Sequence, residues 1–137
     1  MDSLLADTGF LVALGRRSDP LHESARAFLR DYMGKLVTAA PVIVETSFFL
    51  ESAGKLRLLE WVQNGGLAVV EVPVPAYADL GATIRKYADR QIDFADAALV
   101  WLANETGLRE ILTADEGDFS VYRLKAGKRF SLLKWMP

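Results

Sequence analysis

Residues 4–14 read LLADTGFLVAL, which places an apolar run, one acid and a helical segment directly after one another. Leu4–Ala6 has the length and composition of a buried strand, whereas Thr8 is a favoured helix-capping residue ahead of a segment that reaches about Leu14. A strand that leads directly into a helix is the first half of a βαβ unit. Asp7 stands between the two, at the carboxyl end of the predicted strand.

The rest of the chain continues this alternation of short apolar runs and longer amphipathic segments. The further predicted strands are Leu36–Val37, Leu67–Val72 and Ile111–Leu112, with Arg129–Leu133 as an edge strand. The predicted helices are Thr8–Leu14, Pro20–Met33, Val42–Ser52 behind Pro41, Lys55–Gln63, Pro75–Asp89 and Asp93–Glu105, with a break at Gln91–Ile92. This order predicts an α/β fold with a mainly parallel sheet.

Composition limits the classes of protein that remain. The chain has 137 residues, 51% of them apolar, so residues 1–137 are expected to form one domain. It has no cysteine, which excludes disulfides, thiolate metal sites and cysteine nucleophiles. The longest apolar run, Ala97–Ala103, is too short for a membrane span, and the N-terminus does not resemble a secretory signal. We therefore expect a cytoplasmic protein without a membrane partner.

The charge is nearly balanced overall but not along the chain. The formal net charge is −2, so there is no global basic field for nucleic acid. Residues 119–137, in contrast, carry only basic charges, at Arg123, Lys125, Lys128, Arg129 and Lys134. This stretch is compatible either with phosphate contacts or with an edge strand that its charges protect from pairing.

Three acids follow predicted strands, where the ligand site of an open parallel sheet lies. Asp7 follows the first strand directly, and Asp115 follows Ile111–Leu112 closely. Glu45 lies about one turn into an otherwise apolar helix. An ionised acid in apolar surroundings is costly unless it is paired or binds a metal, so Glu45 requires a cation.

Asp96 is the fourth candidate, and Asp93 lies three residues before it on the same helix face. Asp93 is also a good N-cap, so its role is open between capping and function. Four acids at one sheet end repel one another unless their pKa values rise or a divalent ion binds. Oxygen ligands suit Mg²⁺ or Mn²⁺, and the chemistry expected of such a site is metal-assisted attack of water on a phosphodiester.

The motifs around these acids resemble those of PIN-domain ribonucleases, in order and in spacing. The matching segments are LADTGFLVAL at 5–14, APVIVE at 40–45, DFADA at 93–97 and TADEGDF at 113–119. The resemblance implies a three-layer α/β/α sandwich with a central, mainly parallel sheet.

The same resemblance assigns the site residues. It implies that Asp7, Glu45, Asp96 and Asp115 are the catalytic, metal-binding quartet. The secondary residues that it implies are Asp93, Asp118, Thr8 and Thr113. Gly9 departs from the pattern, since many members have Asn or Ser there.

Within the family, the compact form resembles toxins of VapBC-type toxin–antitoxin pairs. This implies an endoribonuclease that depends on Mg²⁺ or Mn²⁺, an RNA substrate, an antitoxin partner and a homodimer. The alternatives are a PIN-domain nuclease of RNA processing that is not a toxin, and a catalytically silent binding module with the same fold. A phosphoacceptor receiver domain is disfavoured because Asp7 has no adjacent acid.

The remaining residues of interest favour structural roles. His22 is the only histidine and is expected to pack or cap a helix. Trp61 and Trp101 lie at apolar helical positions and are expected in the core. Core packing is also expected for most apolar residues of Val42–Leu50 and Leu56–Val62, and partner surfaces are the alternative for these two segments. Trp135, near the basic terminus, is a candidate for contact with RNA or a second subunit.

Overall fold

A five-stranded parallel sheet organises the protein in the computed structural model, which describes residues 2–137. The strands are β1 (Ser3–Ala6), β2 (Lys35–Ala39), β3 (Ala68–Val70), β4 (Glu110–Leu112) and β5 (Ser131–Leu132), in the order β3-β2-β1-β4-β5. Every neighbouring pair is parallel, so the predicted parallel sheet is confirmed, including the C-terminal edge strand.

Seven helices flank the sheet and complete the three-layer sandwich. They are α1 (Thr8–Gly15), α2 (His22–Asp31), α3 (Ala40–Ser47), α4 (Ser52–Gln63), α5 (Tyr77–Lys86), α6 (Phe94–Thr106) and α7 (Glu116–Val121), with short 3₁₀ turns at Val74–Ala76, Ala88–Arg90 and Lys125–Gly127. Helix α1 lies against α2, α3 and α4, whereas α6 lies against α3, α5 and β2. None of the helices formed within residues 2–137 is both long and apolar enough to span a bilayer.

The central position of β1 explains why the opening motif decides the fold. Leu4, Leu5 and Ala6 are buried, and Leu5 is paired with Val37 on one side and Ile111 on the other. The carboxyl ends of β1, β2 and β4 therefore meet at one edge of the sheet. The functional candidates that follow these strands emerge there.

The helix predicted over Val42–Ser52 is wrong at its C-terminal end. Helix α3 stops at Ser47, and the backbone N–H groups of Phe48, Phe49 and Leu50 each bond to the carbonyl three residues earlier, at 3.1–3.2 Å. This tighter turn buries Leu50 beside Gly15. The next helix then begins at Ser52 and not at Lys55.

Other boundaries moved for local reasons. The segment predicted as one helix over Pro75–Asp89 is α-helical only from Tyr77 to Lys86. A 3₁₀ turn precedes this helix and another follows it. The predicted break at Gln91–Ile92 is confirmed, since Gln91 adopts a left-handed conformation with φ 54°. The short helix α7 was not predicted from the sequence.

The aromatic and histidine predictions have mixed outcomes. Trp101 is buried and Trp61 is half-buried against the core, as expected. The suggested contact of Trp135 with RNA or a subunit is wrong, because this side chain is buried and its Nε1 donates to the carbonyl of Thr113 at 3.0 Å. His22 has the expected structural contact, with its Nδ1 2.7 Å from the carbonyl oxygen of Ala13.

Most apolar side chains of α3, α4 and the turn between them pack in or against the core, as expected, but several are exposed. They are Val44, Phe48, Phe49, Leu56 and Leu59. Each lies on a helix or turn whose other face supplies buried residues, such as Val42, Leu50 and Leu58. The protein therefore presents apolar surface on this side.

Candidate active site

Asp7 occupies the centre of the site, between β1 and the first turn of α1. Its backbone N–H bonds to the carbonyl of Leu112 at 3.0 Å, which fixes the residue across the β1–β4 pair. Its side chain is buried, and Oδ2 accepts a hydrogen bond from the Thr113 hydroxyl at 2.7 Å. The other oxygen, Oδ1, is buried without a hydrogen-bond partner among residues 2–137. One carboxylate oxygen is thus held and the other is left free.

Burial is the main reason that the pKa of Asp7 rises to about 6. The hydrogen bond from Thr113 opposes this rise, and the negative charges of Glu45 and Asp93 add to it. The cleft therefore disfavours the ionised form of its central acid while no cation is present.

Asp96 lies in the first turn of α6, a helix with a continuous buried segment from Ala95 to Ala103. Its Oδ2 accepts a hydrogen bond from the buried Tyr122 hydroxyl at 2.8 Å. Burial raises the pKa of Asp96 to about 8, and the charges of Asp7 and Asp93 act in the same direction. The charge of Asp7 therefore acts on an acid that a separate element carries.

Asp93 is the N-cap of α6, which confirms the capping role considered for it. Its Oδ1 accepts a hydrogen bond from the backbone N–H of Asp96 at 2.8 Å. The same carboxylate raises the pKa values of Asp7, Glu45 and Asp96. Capping and a contribution to the acidic field are therefore both properties of this one side chain.

Glu45 reaches the site from the second turn of α3 and is half-buried. Burial and then the charge of Asp93 raise its pKa above the ordinary value. Thr8 also lines the cleft, and its buried Oγ1 has no hydrogen-bond partner within residues 2–137. The Thr8 side chain nevertheless lies near enough to Glu45 to oppose the rise of its pKa.

Asp115 enters from the loop between β4 and α7 and caps that helix. Its backbone N–H donates to the Thr113 hydroxyl at 2.9 Å, and its Oδ1 accepts from the N–H of Asp118 at 3.0 Å. Burial raises the pKa of Asp115. Asp118 has a different environment, because its Oδ1 is paired with Arg90 at 3.0 Å.

The structure brings all four members of the predicted quartet into one cleft of about 890 Å³. Asp93, Asp118 and Thr8 line the same cleft, and Thr113 supports it from behind through Asp7. Tyr122 also lines it, and sequence reasoning missed this residue. No local sequence signal marks Tyr122, because it lies just after α7 and reaches Asp96 only through tertiary packing.

The carboxylates form an open cleft and not a closed coordination shell. Within residues 2–137, no three acidic or histidine side chains already lie close enough together to hold a metal ion. The donors nevertheless fit a small hard cation, because they are all oxygen and one of them, Asp7 Oδ1, is buried without a partner. Mg²⁺ commonly binds through one or two carboxylates and keeps several waters, which suits such an open site.

The family model of the PIN domain matches residues 4–124, so the chain belongs to the PIN-domain family. The chain is similar to ribonuclease VapC26 of Mycobacterium tuberculosis, with 26% identity over 134 residues that cover 95% of this chain and 99% of that protein.

Two solved structures share the fold. One is the crystal structure of Mycobacterium tuberculosis VapC20, described as a sarcin-ricin loop cleaving toxin, with a TM-score of 0.77, 21% identity, and coverage of 85% of this chain and 92% of that chain. The other is a toxin–antitoxin complex from Klebsiella pneumoniae, with a TM-score of 0.62, 16% identity and 96% coverage of both chains.

Proposed function

We propose that this protein is a metal-dependent endoribonuclease that hydrolyses RNA phosphodiester bonds, and that it is the toxin of a type II toxin–antitoxin pair. The observation that carries the proposal is the convergence of Asp7, Glu45, Asp96 and Asp115 on one cleft, with Asp7 Oδ1 buried and unpartnered. Membership of the PIN-domain family and the similarity to ribonuclease VapC26 support it. Because its substrate is RNA, we propose the cytoplasm as its site of action.

The cofactor in this proposal is Mg²⁺ or Mn²⁺, held by the quartet. When bound, such an ion orients the phosphate, neutralises developing charge and lowers the pKa of a coordinated water. Mg²⁺ and Mn²⁺ both favour carboxylate oxygen, which is the only donor type that the quartet offers.

The chain's own groups place the acids for this task. The Thr113 hydroxyl donates a hydrogen bond to the carboxylate of Asp7 and accepts one from the backbone N–H of Asp115. One residue therefore positions two acids. Tyr122 holds one oxygen of Asp96 in the same way. In Asp7 and Asp96, one carboxylate oxygen is thus held by a hydroxyl and the other remains for the ligand. In Asp115, the backbone N–H of Asp118 holds one carboxylate oxygen.

The test is cleavage of RNA by the purified protein with Mg²⁺ or Mn²⁺, compared with Asp7→Asn. We expect activity that EDTA abolishes and that the variant lowers by at least ~100-fold, since it removes the charge of the central acid. Without metal, Asp7→Asn should be at least as stable as the wild type at pH 8, because it removes a buried charge and keeps an oxygen that accepts from Thr113.

The matched control is Glu110→Gln, an exposed acid at the amino end of β4, away from the cleft. This variant should cleave RNA as the wild type does. Activity that survives in EDTA or in Asp7→Asn would refute the proposed mechanism.

We also propose two protein partners, an antitoxin and a second copy of this chain. The exposed apolar residues on α4, Leu56 and Leu59, offer a surface for an antitoxin helix. The exposed residues Val44, Tyr77 and Phe94 offer a surface for self-association. The product of an adjacent reading frame that binds this chain and blocks its cleavage of RNA would distinguish a toxin from a nuclease of RNA processing.

A further inference from the structure

A second depression opens beside the acidic cleft and has the opposite charge. Its volume is about 590 Å³, and its lining includes Arg16, Arg17 and Arg57 together with Phe48 and Phe49. Arg16, Phe48 and Phe49 line the acidic cleft as well, so the two depressions share a wall. We name this second depression the arginine–phenylalanine rim.

The two phenylalanines are held towards solvent by the turn between α3 and α4. Phe48 is 76% exposed and Phe49 is 52% exposed, although the next residue, Leu50, is only 6% exposed. Leu50 anchors the turn, since its side chain lies within contact distance of Gly15 on α1. Two adjacent exposed aromatic rings mark a binding surface, because their exposure forgoes the free energy of burial.

The arginines of the rim are available for an anion. The ion pairs within residues 2–137 join Arg26 to Glu23 and Arg90 to Asp118, and neither uses a rim arginine. Glu51 is the one acid among the residues that line the rim. The rim is therefore locally basic on a protein whose formal net charge is −2.

The positive charge of the rim supplies the attraction for phosphate that the acidic cleft cannot provide. The acids of the cleft repel a polyanion, so the affinity for RNA on either side of the reacting phosphate must come from neighbouring surface. Arginine recognises phosphate through a rigid fork of donors, and an exposed aromatic ring stacks on an unpaired base. A nucleic acid with splayed bases uses both features together.

We infer that the arginine–phenylalanine rim binds the single-stranded RNA that flanks the reacting phosphate, with bases stacked on Phe48 and Phe49 and phosphates on Arg16, Arg17 and Arg57. This inference rests on the proposed function and adds to it the residues that hold the RNA on either side of the reacting phosphate. It also assigns the rim a part in substrate affinity and none in the chemical step.

The test is binding of a fluorescein-labelled single-stranded oligoribonucleotide, followed by anisotropy in Mg²⁺. The protein is the full chain with Asp7→Asn, so that the RNA stays intact. Adding Phe48→Leu and Phe49→Leu should weaken binding by about tenfold or more, whereas Phe48→Tyr and Phe49→Tyr should retain it, because tyrosine also stacks.

The arginines are tested by their salt dependence. Adding Arg16→Gln, Arg17→Gln and Arg57→Gln together should lower the slope of log Kd against log salt by about 2, since each phosphate contact on a single strand contributes about 0.7. The controls are Arg109→Gln and Met33→Ala, which are exposed at the amino ends of the strands and should change neither affinity nor slope.

In the Asp7 wild-type background, the phenylalanine-to-leucine pair should raise KM for the oligoribonucleotide and leave kcat unchanged. Unaltered affinity and KM in both rim variants would overturn the inference while RNA cleavage by the wild type upholds the proposed function. Equal binding of a fully paired duplex, or equal competition by a glutamate-rich peptide, would also overturn it. If the wild type neither binds nor cleaves RNA, both conclusions fail.

Discussion

Asp7 and Asp96 are the residues on which the electrostatic state of the cleft depends. Both are buried, and the charge of Asp7 adds to the cost of ionising Asp96. Their folded-state pKa values, about 6 and about 8, lie above the ordinary value of 3.8. The folded, metal-free protein therefore holds these protons more tightly than the unfolded chain does.

The stability of the metal-free protein should consequently fall as pH rises. The contribution of both groups is fully present below about pH 4 and is lost as pH passes 6 for Asp7 and 8 for Asp96. One pKa unit corresponds to about 1.4 kcal/mol, so Asp7 alone accounts for about 3 kcal/mol of this loss. The measurement is urea unfolding in EDTA at a series of pH values.

Asp96→Asn isolates the second group in this measurement. It should remove most of the decline between pH 6 and 8 and keep the part that belongs to Asp7. Bound Mg²⁺ should flatten the profile, since it stabilises the ionised carboxylates. A metal-free protein whose stability rises from pH 4 to pH 8 would contradict the raised pKa values.

The hydroxyl of Tyr122 supports Asp96, and we expect its loss to weaken metal binding. Tyr122→Phe deletes the hydroxyl that holds Asp96 and leaves the packing of the ring unchanged. Loss of such a supporting hydrogen bond typically costs ~10–100-fold in metal affinity or activity. Mn²⁺ binding by calorimetry and cleavage of RNA should both weaken within this range.

Tyr87→Phe is the matched control, because Tyr87 and Tyr122 are both buried and their rings lie 5.1 Å apart. The Tyr87 hydroxyl accepts from the backbone N–H of Arg123 at 2.8 Å and holds no carboxylate. Tyr87→Phe should therefore reduce stability without changing affinity for Mn²⁺. Equal losses of Mn²⁺ affinity in the two variants would contradict the assignment of a positioning role to Tyr122.

Strand ends indicated the acids and the family resemblance implied Thr113, but neither shows which contact supports each acid. Asp7 and Asp115 are recognisable because they follow strands, whereas the contact between Thr113 and Asp7 joins residues 106 positions apart. The prediction for Trp135 was wrong because its surroundings also depend on contacts between residues distant in sequence. Its burial against Phe10, with ring centroids 5.0 Å apart, depends on where the end of the chain folds back.

The start of α1 and the loop after β4 approach each other closely at Gly9. A Cβ built on Gly9 would lie 2.7 Å from the Cβ of Ala114. The two elements carry Asp7 and Asp115, so their spacing sets the width of the cleft. This close approach gives a physical reason for glycine at the position where many relatives are expected to have Asn or Ser.

Gly9→Ala should therefore destabilise the protein, although alanine favours helices. Overpacking of this kind costs ~1–3 kcal/mol. Adding Ala114→Gly removes the opposing methyl group and should restore most of the stability and activity. Thermal unfolding and RNA cleavage measure the two effects, and a Gly9→Ala variant as stable as the wild type would show that the elements can separate freely.

The elements themselves were predictable to different degrees. Strands β1 and β4 and helix α6 carry strong apolar patterns and were found close to their observed positions. The stop of α3 at Ser47 was not, because the apolar residues Phe48–Leu50 favour a continued buried helix. The tertiary contact of Leu50 with α1 decides the turn, and local sequence does not report it.

Acidic and basic side chains are concentrated in separate regions of the whole molecule, which the net charge does not reveal. The value of −2 correctly argues against a global basic field, yet the acidic cleft and the arginine–phenylalanine rim lie side by side. The sequence revealed the acids because strand ends converge. The rim arginines come from the end of α1 and from α4, which only the packed molecule brings together.

The exposed apolar surface at Val44, Tyr77 and Phe94 predicts self-association. These residues line a depression of about 510 Å³, and the rings of Tyr77 and Phe94 pack edge to face at 5.7 Å. Contiguous apolar surface of this kind favours association, so the wild type should sediment as a homodimer. Tyr77→Glu places a charge in the contact and should yield a folded monomer, because Tyr77 is half-exposed and begins α5, where an acid complements the helix dipole.

Met33→Glu serves as the comparison in sedimentation velocity, since Met33 is exposed at the opposite, amino end of the sheet and should leave the dimer intact. A wild type that stays monomeric at its highest soluble concentration would contradict the prediction. So would a Tyr77→Glu variant that dimerises as strongly as the wild type, because self-association would then use another face of the molecule.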